Sequence, residues 1–250
     1  MFSSDSTYTP VLGSETKMYN LLRYSHKNNR TYNPFGYSIE AQAGADFAKV
    51  TAEGNVRIDY NVKHKSLYVR AFLGKFFAIS NDPRVYSRYE LNASYSGIDD
   101  YLYDGTYLGR NATSRLAAQQ ISMQEGSFKV PVFNNTGRSD NWMAAINLET
   151  DIPKIPIRLF FDAGLIPNPT PGIMHSSATT LLYDGGIEIS LLKNVVSVYI
   201  PVIMSSDFQN YLTNTFGRKN AFARGISFTL QFQNMNWLRS TSALVSGVLR

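Results

Sequence analysis

The chain has 250 residues, 44% hydrophobic and 13% aromatic, with a formal net charge of +5. That is length enough for one large domain. A mean hydropathy of -0.20 and the lack of any apolar run of about 18 residues exclude a transmembrane helix but not a membrane barrel, whose strands are only half apolar.

Residues 1–16 are polar, include Pro10 and Gly13, and read as a lead-in segment. Met1-Phe2-Ser3-Ser4-Asp5 has no basic start and no apolar stretch behind it, so it is not a signal peptide; a mature chain or a piece of a longer one is expected. Lys17 to His26 reads as a first strand, ended by Lys27-Asn28-Asn29-Arg30 and then by the break Asn33-Pro34-Phe35-Gly36. Tyr37 to Ala45, Val50 to Val62 and Leu67 to Phe77 follow as strands. In the middle one, Val56, Ile58, Tyr60 and Val62 alternate with Arg57, Asp59, Asn61 and Lys63. Such a strand is apolar on one face and wet on the other. Lys63-His64-Lys65-Ser66 reads as a hairpin turn.

Tyr89 to Tyr95 is a further strand, and residues 97–114 form a long loop carrying Asp99, Asp100 and Asp104. Leu116 to Gln124 and Ser127 to Val132 are predicted strands, and Asn134-Asn135-Thr136-Gly137 is a turn. Trp142 to Leu148 alternates again. Ile155 to Ala163 is a strand that Pro156 confines to a start or an edge. After the proline-rich loop Pro167 to Gly172 come a hairpin of Thr179 to Leu191 and Val195 to Val202, a polar stretch Ser205 to Asn220, and a last strand Gly225 to Gln233. In that strand Ile226, Phe228, Leu230 and Phe232 face away from Ser227, Thr229, Gln231 and Gln233. Gly185-Gly186, inside a strand, marks a bulge, a kink or a close backbone approach.

The expected fold is therefore all-β: an antiparallel, up-and-down transmembrane β-barrel of about twelve strands over residues 17–238, followed by a weakly patterned tail, 239–250. Bacterial single-chain barrels use even strand numbers, and a count of eleven would leave the barrel incomplete. No helix stands out.

Chemistry-bearing motifs are absent. There is no cysteine, hence no disulfide framework and no thiolate metal site. His26, His64 and His175 lie outside any H-E-x-x-H and read as loop residues; the Asp99, Asp100, Asp104 cluster reads as a solvated loop. No glycine loop for phosphate or dinucleotide occurs, so no catalytic, metal or cofactor residue is assigned. Basic residues are dispersed, so nucleic acid is not an expected partner. Tyr183 and Tyr199 read as belt or core. The side chains expected to face a lumen are Arg57, Asp59, Arg70 and Glu188. Arg70 falls opposite Leu67, Val69, Ala71 and Leu73, and Glu188 or Asp59 is its expected partner.

Several segments carry a family likeness. They are Arg30-Thr31-Tyr32-Asn33-Pro34, Val69-Arg70-Ala71-Phe72-Leu73-Gly74-Lys75-Phe76-Phe77, Asp100-Tyr101-Leu102-Tyr103-Asp104-Gly105 through Asn111, Gln119 through Val130, Tyr183-Asp184-Gly185-Gly186-Ile187-Glu188 and Val198-Tyr199-Ile200-Pro201. Together they resemble the C-terminal, β-rich extension of bacterial gluzincin metallopeptidases related to aminopeptidase N. The later two also resemble strands of surface-antigen-type outer-membrane barrels. The resemblance implies a non-catalytic outer-membrane region that anchors a parent peptidase, with outer-membrane lipid and the parent's N-terminal peptidase domain as partners. The zinc motif of that family is missing here, so no catalytic residue carries over. Two other readings stay open: an independent pore or assembly-type barrel, and a soluble β-sandwich binding module.

Overall fold

The computed structural model describes residues 18–45, 47–62, 65–79, 89–91, 117–132, 136–139, 141–155, 157–167, 179–191 and 195–231. Nine strands build one antiparallel sheet. In chain order they are β1 (Tyr19–Asn28), β2 (Phe35–Gly44), β3 (Phe47–Asp59), β4 (Ser66–Ala78), β7 (Trp142–Asp151), β8 (Arg158–Pro167), β9 (Thr179–Leu191), β10 (Val196–Met204) and β11 (Ser227–Leu230). Two short strands, β5 (Tyr89–Glu90) and β6 (Arg138–Ser139), pair with each other. Helices α1 (Ser206–Phe216) and α2 (Arg218–Gly225) lie between β10 and β11.

Each strand of the large sheet pairs with the strand before and after it, a meander whose edges are β1 and β11. The sheet is thus all-β and antiparallel, as expected, but among the described residues it is not closed into a barrel and has nine strands. Three further expectations fail. Of the strands expected over Leu116 to Gln124 and Ser127 to Val132, the described residues 117–124 and 127–132 are not strands; they form a short 3-10 turn (Ala117–Gln119) and an irregular segment held against the sheet. The polar stretch Ser205 to Asn220 is largely helical. Strand β3 ends at Asp59, so Tyr60 and Val62 lie outside the strand that they continue in pattern.

The two faces differ sharply. Cross-strand pairing puts Leu22, Tyr24, Ile39, Val50, Leu73, Ile146, Phe161, Leu165 and Leu181 on one face, and all of them are exposed. We call this the bare face. The other, covered face holds Phe47, Phe72, Phe76, Met143, Ile166 and Leu182, packed beneath Leu91, Phe128, Val130 and the α1 residues Phe208 and Leu212. Phe128 meets Phe208 edge to face at 5.9 Å, and Phe72 meets Tyr89 likewise. Such pairs add to the stability gained from burial alone.

Glycine sets how closely the covering layer approaches. A Cβ on Gly126 would stand 2.4 Å from the Leu91 Cα, and one on Gly74 would stand 2.5 Å from the Tyr89 ring. The predicted backbone approach at Gly186 is also real: a Cβ there would sit 2.1 Å from the Ile200 carbonyl oxygen, beside a register shift between Pro201 and Ile203. Among the described residues no helix is long and apolar enough to cross a membrane.

Candidate functional site

The covered face is mostly polar, although it is the buried one. One lateral row of the sheet reads Lys27, Gly36, Asn55, Arg70, Asn147, Asp162, Asp184 across seven neighbouring strands. The row nearer the short turns includes Asp151, Arg158, Glu188 and Tyr199. Alternation places these side chains together because every second residue of each strand points the same way.

Into this floor reaches Lys129, fully buried, from the irregular covering segment. Its Nζ lies 3.3 Å from Glu149 and 3.4 Å from Asp162, and donates to the Ser127 carbonyl at 3.0 Å. The Tyr199 and Phe160 rings flank it at 5.4 and 5.9 Å. Burial works against its charge, but the carboxylates of Asp162 and Glu149 outweigh that cost and hold its pKa above the ordinary lysine value.

The backbone of the same segment is captured as well. The Asp184 carboxylate accepts from the amides of Lys129 at 3.0 Å and Val130 at 2.8 Å. Asn147 Nδ2 donates to the Gly126 carbonyl and to Asp162, both at 2.8 Å. Arg70 donates to the Glu125 carbonyl at 2.6 Å, and the Glu125 carboxylate is met by Lys49 at 3.2 Å. Buried backbone groups must find partners, and a segment without helix or ladder finds them in side chains. Ser227 Oγ donates to the Lys129 carbonyl, and the Ile121 amide to Phe228.

All four residues expected to face a lumen, Arg57, Asp59, Arg70 and Glu188, lie on the covered face. They do not form one cluster. Arg57 pairs with Asp59 at 2.8 Å near the first short turn, where Asp59 and Asn33 exchange hydrogen bonds. Arg70 takes neither Glu188 nor Asp59 but Glu53, at 2.7 Å, because Glu53 is on the adjacent strand β3 within its reach. Glu188 instead faces Arg158 at 3.4 Å and accepts from Ser197 at 2.9 Å. Tyr183 stands on the bare face and Tyr199 in the buried network, so the two tyrosines divide between surface and core. His26 is a strand residue on the bare face, 5.4 Å from the Tyr37 ring, not a loop residue. His64, His175 and the Asp99, Asp100, Asp104 cluster lie outside the described residues.

Among the described residues no group of three or more His, Cys, Asp or Glu side chains is arranged to hold a metal ion. The network is made of paired charges with their hydrogen-bond capacity turned toward the covering segment, an arrangement that holds a segment in place. No known protein family, curated protein or solved structure matches the chain. The reading of function rests on the residues themselves.

Proposed function

We propose that this chain is a non-catalytic, membrane-embedded β region of the bacterial outer membrane, belonging to a larger metallopeptidase-like protein that it anchors. The observation that carries the reading is the inverted polarity of the sheet. The face open to the surroundings is aliphatic and aromatic over at least eight strands, with Lys75 a charged exception, whereas the ion-paired network is on the buried side. A water-soluble sheet arranges its faces the other way, with one polar face in solvent; a strand whose outward residues meet lipid arranges them as here. An exposed apolar area this wide on a monomer marks a contact surface.

Connection lengths add support. At one end the strands are joined over 29–34, 60–65, 152–157 and 192–195, all short. At the other end one connection, 45–46, is short, and the remaining three, 79–141, 168–178 and 205–226, are longer. Membrane barrels pair short turns on one side with long loops on the other. The soluble-module reading needs a second sheet against the bare face, and the one described second sheet, β5 with β6, packs on the covered face: Tyr89 lies against Phe72 and Gly74. An open pore suits the arrangement less well, because the covering segment and α1 occupy the polar side. Closure of the sheet, by strands beyond those described, belongs to the same proposal, since lipid tolerates no free sheet edge.

The test is to refold residues 1–250 with vesicles or detergent and run the product on a gel with and without boiling. A heat-modifiable band, protected from protease by lipid, is expected. A compact protein that stays in the aqueous phase and ignores vesicles would overturn the proposal.

A further inference from the structure

Between the covering segment and strands β1 to β4 lies a cavity of about 470 Å³ near the short-turn end. Its size is that of a small-molecule site. Lys27, Asn29, Asn55, Arg57, Tyr68 and Met123 line it, and so does Glu149. Gly36 keeps one wall low: Lys27, Gly36 and Asn55 are cross-strand partners, and a Cβ on Gly36 would already press on the Asn55 amide at 3.3 Å.

Charge in the cavity is unbalanced. Among the described residues each carboxylate in or beside it has a cationic partner: Glu149, in the lining, has Lys129, Asp59 has Arg57, and Glu53 has Arg70. Lys27 has no such partner among the described residues, and it is the surplus charge. The amides of Asn29 and Asn55 and the Tyr68 hydroxyl likewise have no hydrogen-bond partner there. Arg57 directs Nε and Nη2 to Asp59 and the Thr31 carbonyl, which leaves Nη1. A group of donors with one unmatched positive charge, beside the Tyr68 ring, is complementary to an oxyanion on an apolar body.

We infer that this cavity binds a small organic anion, a carboxylate or phosphate head on a flat apolar body, with Lys27 and Arg57 receiving the head and Tyr68 and Met123 the body. The inference stands apart from the membrane reading, because it concerns the covered face and holds in detergent or in plain buffer.

The probe is 4-fluorobenzoate, followed by fluorine NMR on the folded 250-residue chain. Saturable binding with a Kd near or below about 1 mM is expected, and neutral 4-fluorobenzyl alcohol should bind at least about tenfold more weakly. Lys27→Glu, on an exposed side chain whose loss leaves the fold intact, should weaken the benzoate by at least about tenfold, whereas Lys154→Glu, on a turn that does not line the cavity, should not. Arg57→Gln should act in the same direction, its fold checked by circular dichroism. Absence of saturable binding, equal binding of the alcohol, or indifference to Lys27→Glu would each overturn the inference. The gel assay of the preceding section reports separately on the membrane reading.

Discussion

Replacing Lys129 by methionine tests the buried network most directly. The side chain is wholly enclosed, and Asp162, also wholly enclosed, is one of its two carboxylate neighbours. Methionine matches the stem of lysine but leaves the Asp162 charge without its cation. Breaking a buried pair by removing one partner costs about 3–5 kcal/mol, because the remaining charge stays desolvated. Asn147 still donates to Asp162, and Glu149 is partly open to solvent, so the lower part of that range is expected. The double variant Lys129→Met, Asp162→Asn removes both charges and should recover about 1–3 kcal/mol relative to the sum of the single changes. The assay is equilibrium unfolding in guanidinium, followed by the fluorescence of the tryptophans, one of which, Trp142, starts β7. If Lys129→Met unfolds within about 0.5 kcal/mol of the parent chain, the network is not what holds the covering segment and the reasoning fails.

Further outcomes follow from other parts of the structure. Leu73→Arg, on the bare face, should lower stability in vesicles by about 2–4 kcal/mol at mid-membrane depth, against less than about 0.5 kcal/mol for a water-exposed site; vesicle refolding titrations distinguish the two. Gly126→Ala drives a methyl into the Leu91 backbone and should cost about 1–3 kcal/mol, with faster protease cleavage of the covering segment as the readout. The Lys129 contribution also has a pH signature. Its pKa is raised on folding, so the stability that it supplies is fully present below the unfolded value, about 10.4, and is lost only as pH rises through the folded one. The gap between Lys129→Met and the parent chain should therefore be the same at neutral pH and at about pH 9; a gap that closes already at pH 9 would contradict the assignment.

The alternating strands were legible because their pattern is local. Thr179 to Leu191 appears with the bounds read from the sequence, and Leu67 to Phe77 within one residue. The covering segment was not legible for a physical reason. Phe128, Val130 and Val132 alternate as a strand would, yet the Val130 amide donates to the Asp184 side chain, the Phe128 amide to the Leu91 carbonyl, and the Gly126 carbonyl accepts from Asn147, partners that no local window contains. The helices hid in a different way: α1 buries only Phe208 and Leu212, a stripe too thin to stand out in a polar stretch. At the candidate site, strand parity correctly set Arg70 opposite the aliphatic residues, but partner choice depends on register, and register put Glu53 beside it. Lys129 gave no sign in sequence, since one lysine in an apolar run looks like a surface residue until Glu149 and Asp162 from later strands meet its ammonium.

The covering segment also bears on the order of folding. Residues 124–130 leave the ribosome before any of β7 to β11 exists, and their hydrogen bonds reach across 21 residues to Asn147, 55 to Asp184 and 98 to Ser227. The Asn147 bond needs β7 and the Asp184 bonds need β9, and only the Ser227 bond waits for β11 to pair with β10. Contacts of such long sequence separation carry a large loop-closure cost and slow the final step. The covering segment is therefore closed over stepwise along the chain, from Asn147 through Asp184 to Ser227, and the bond that seals it comes from the last described strand.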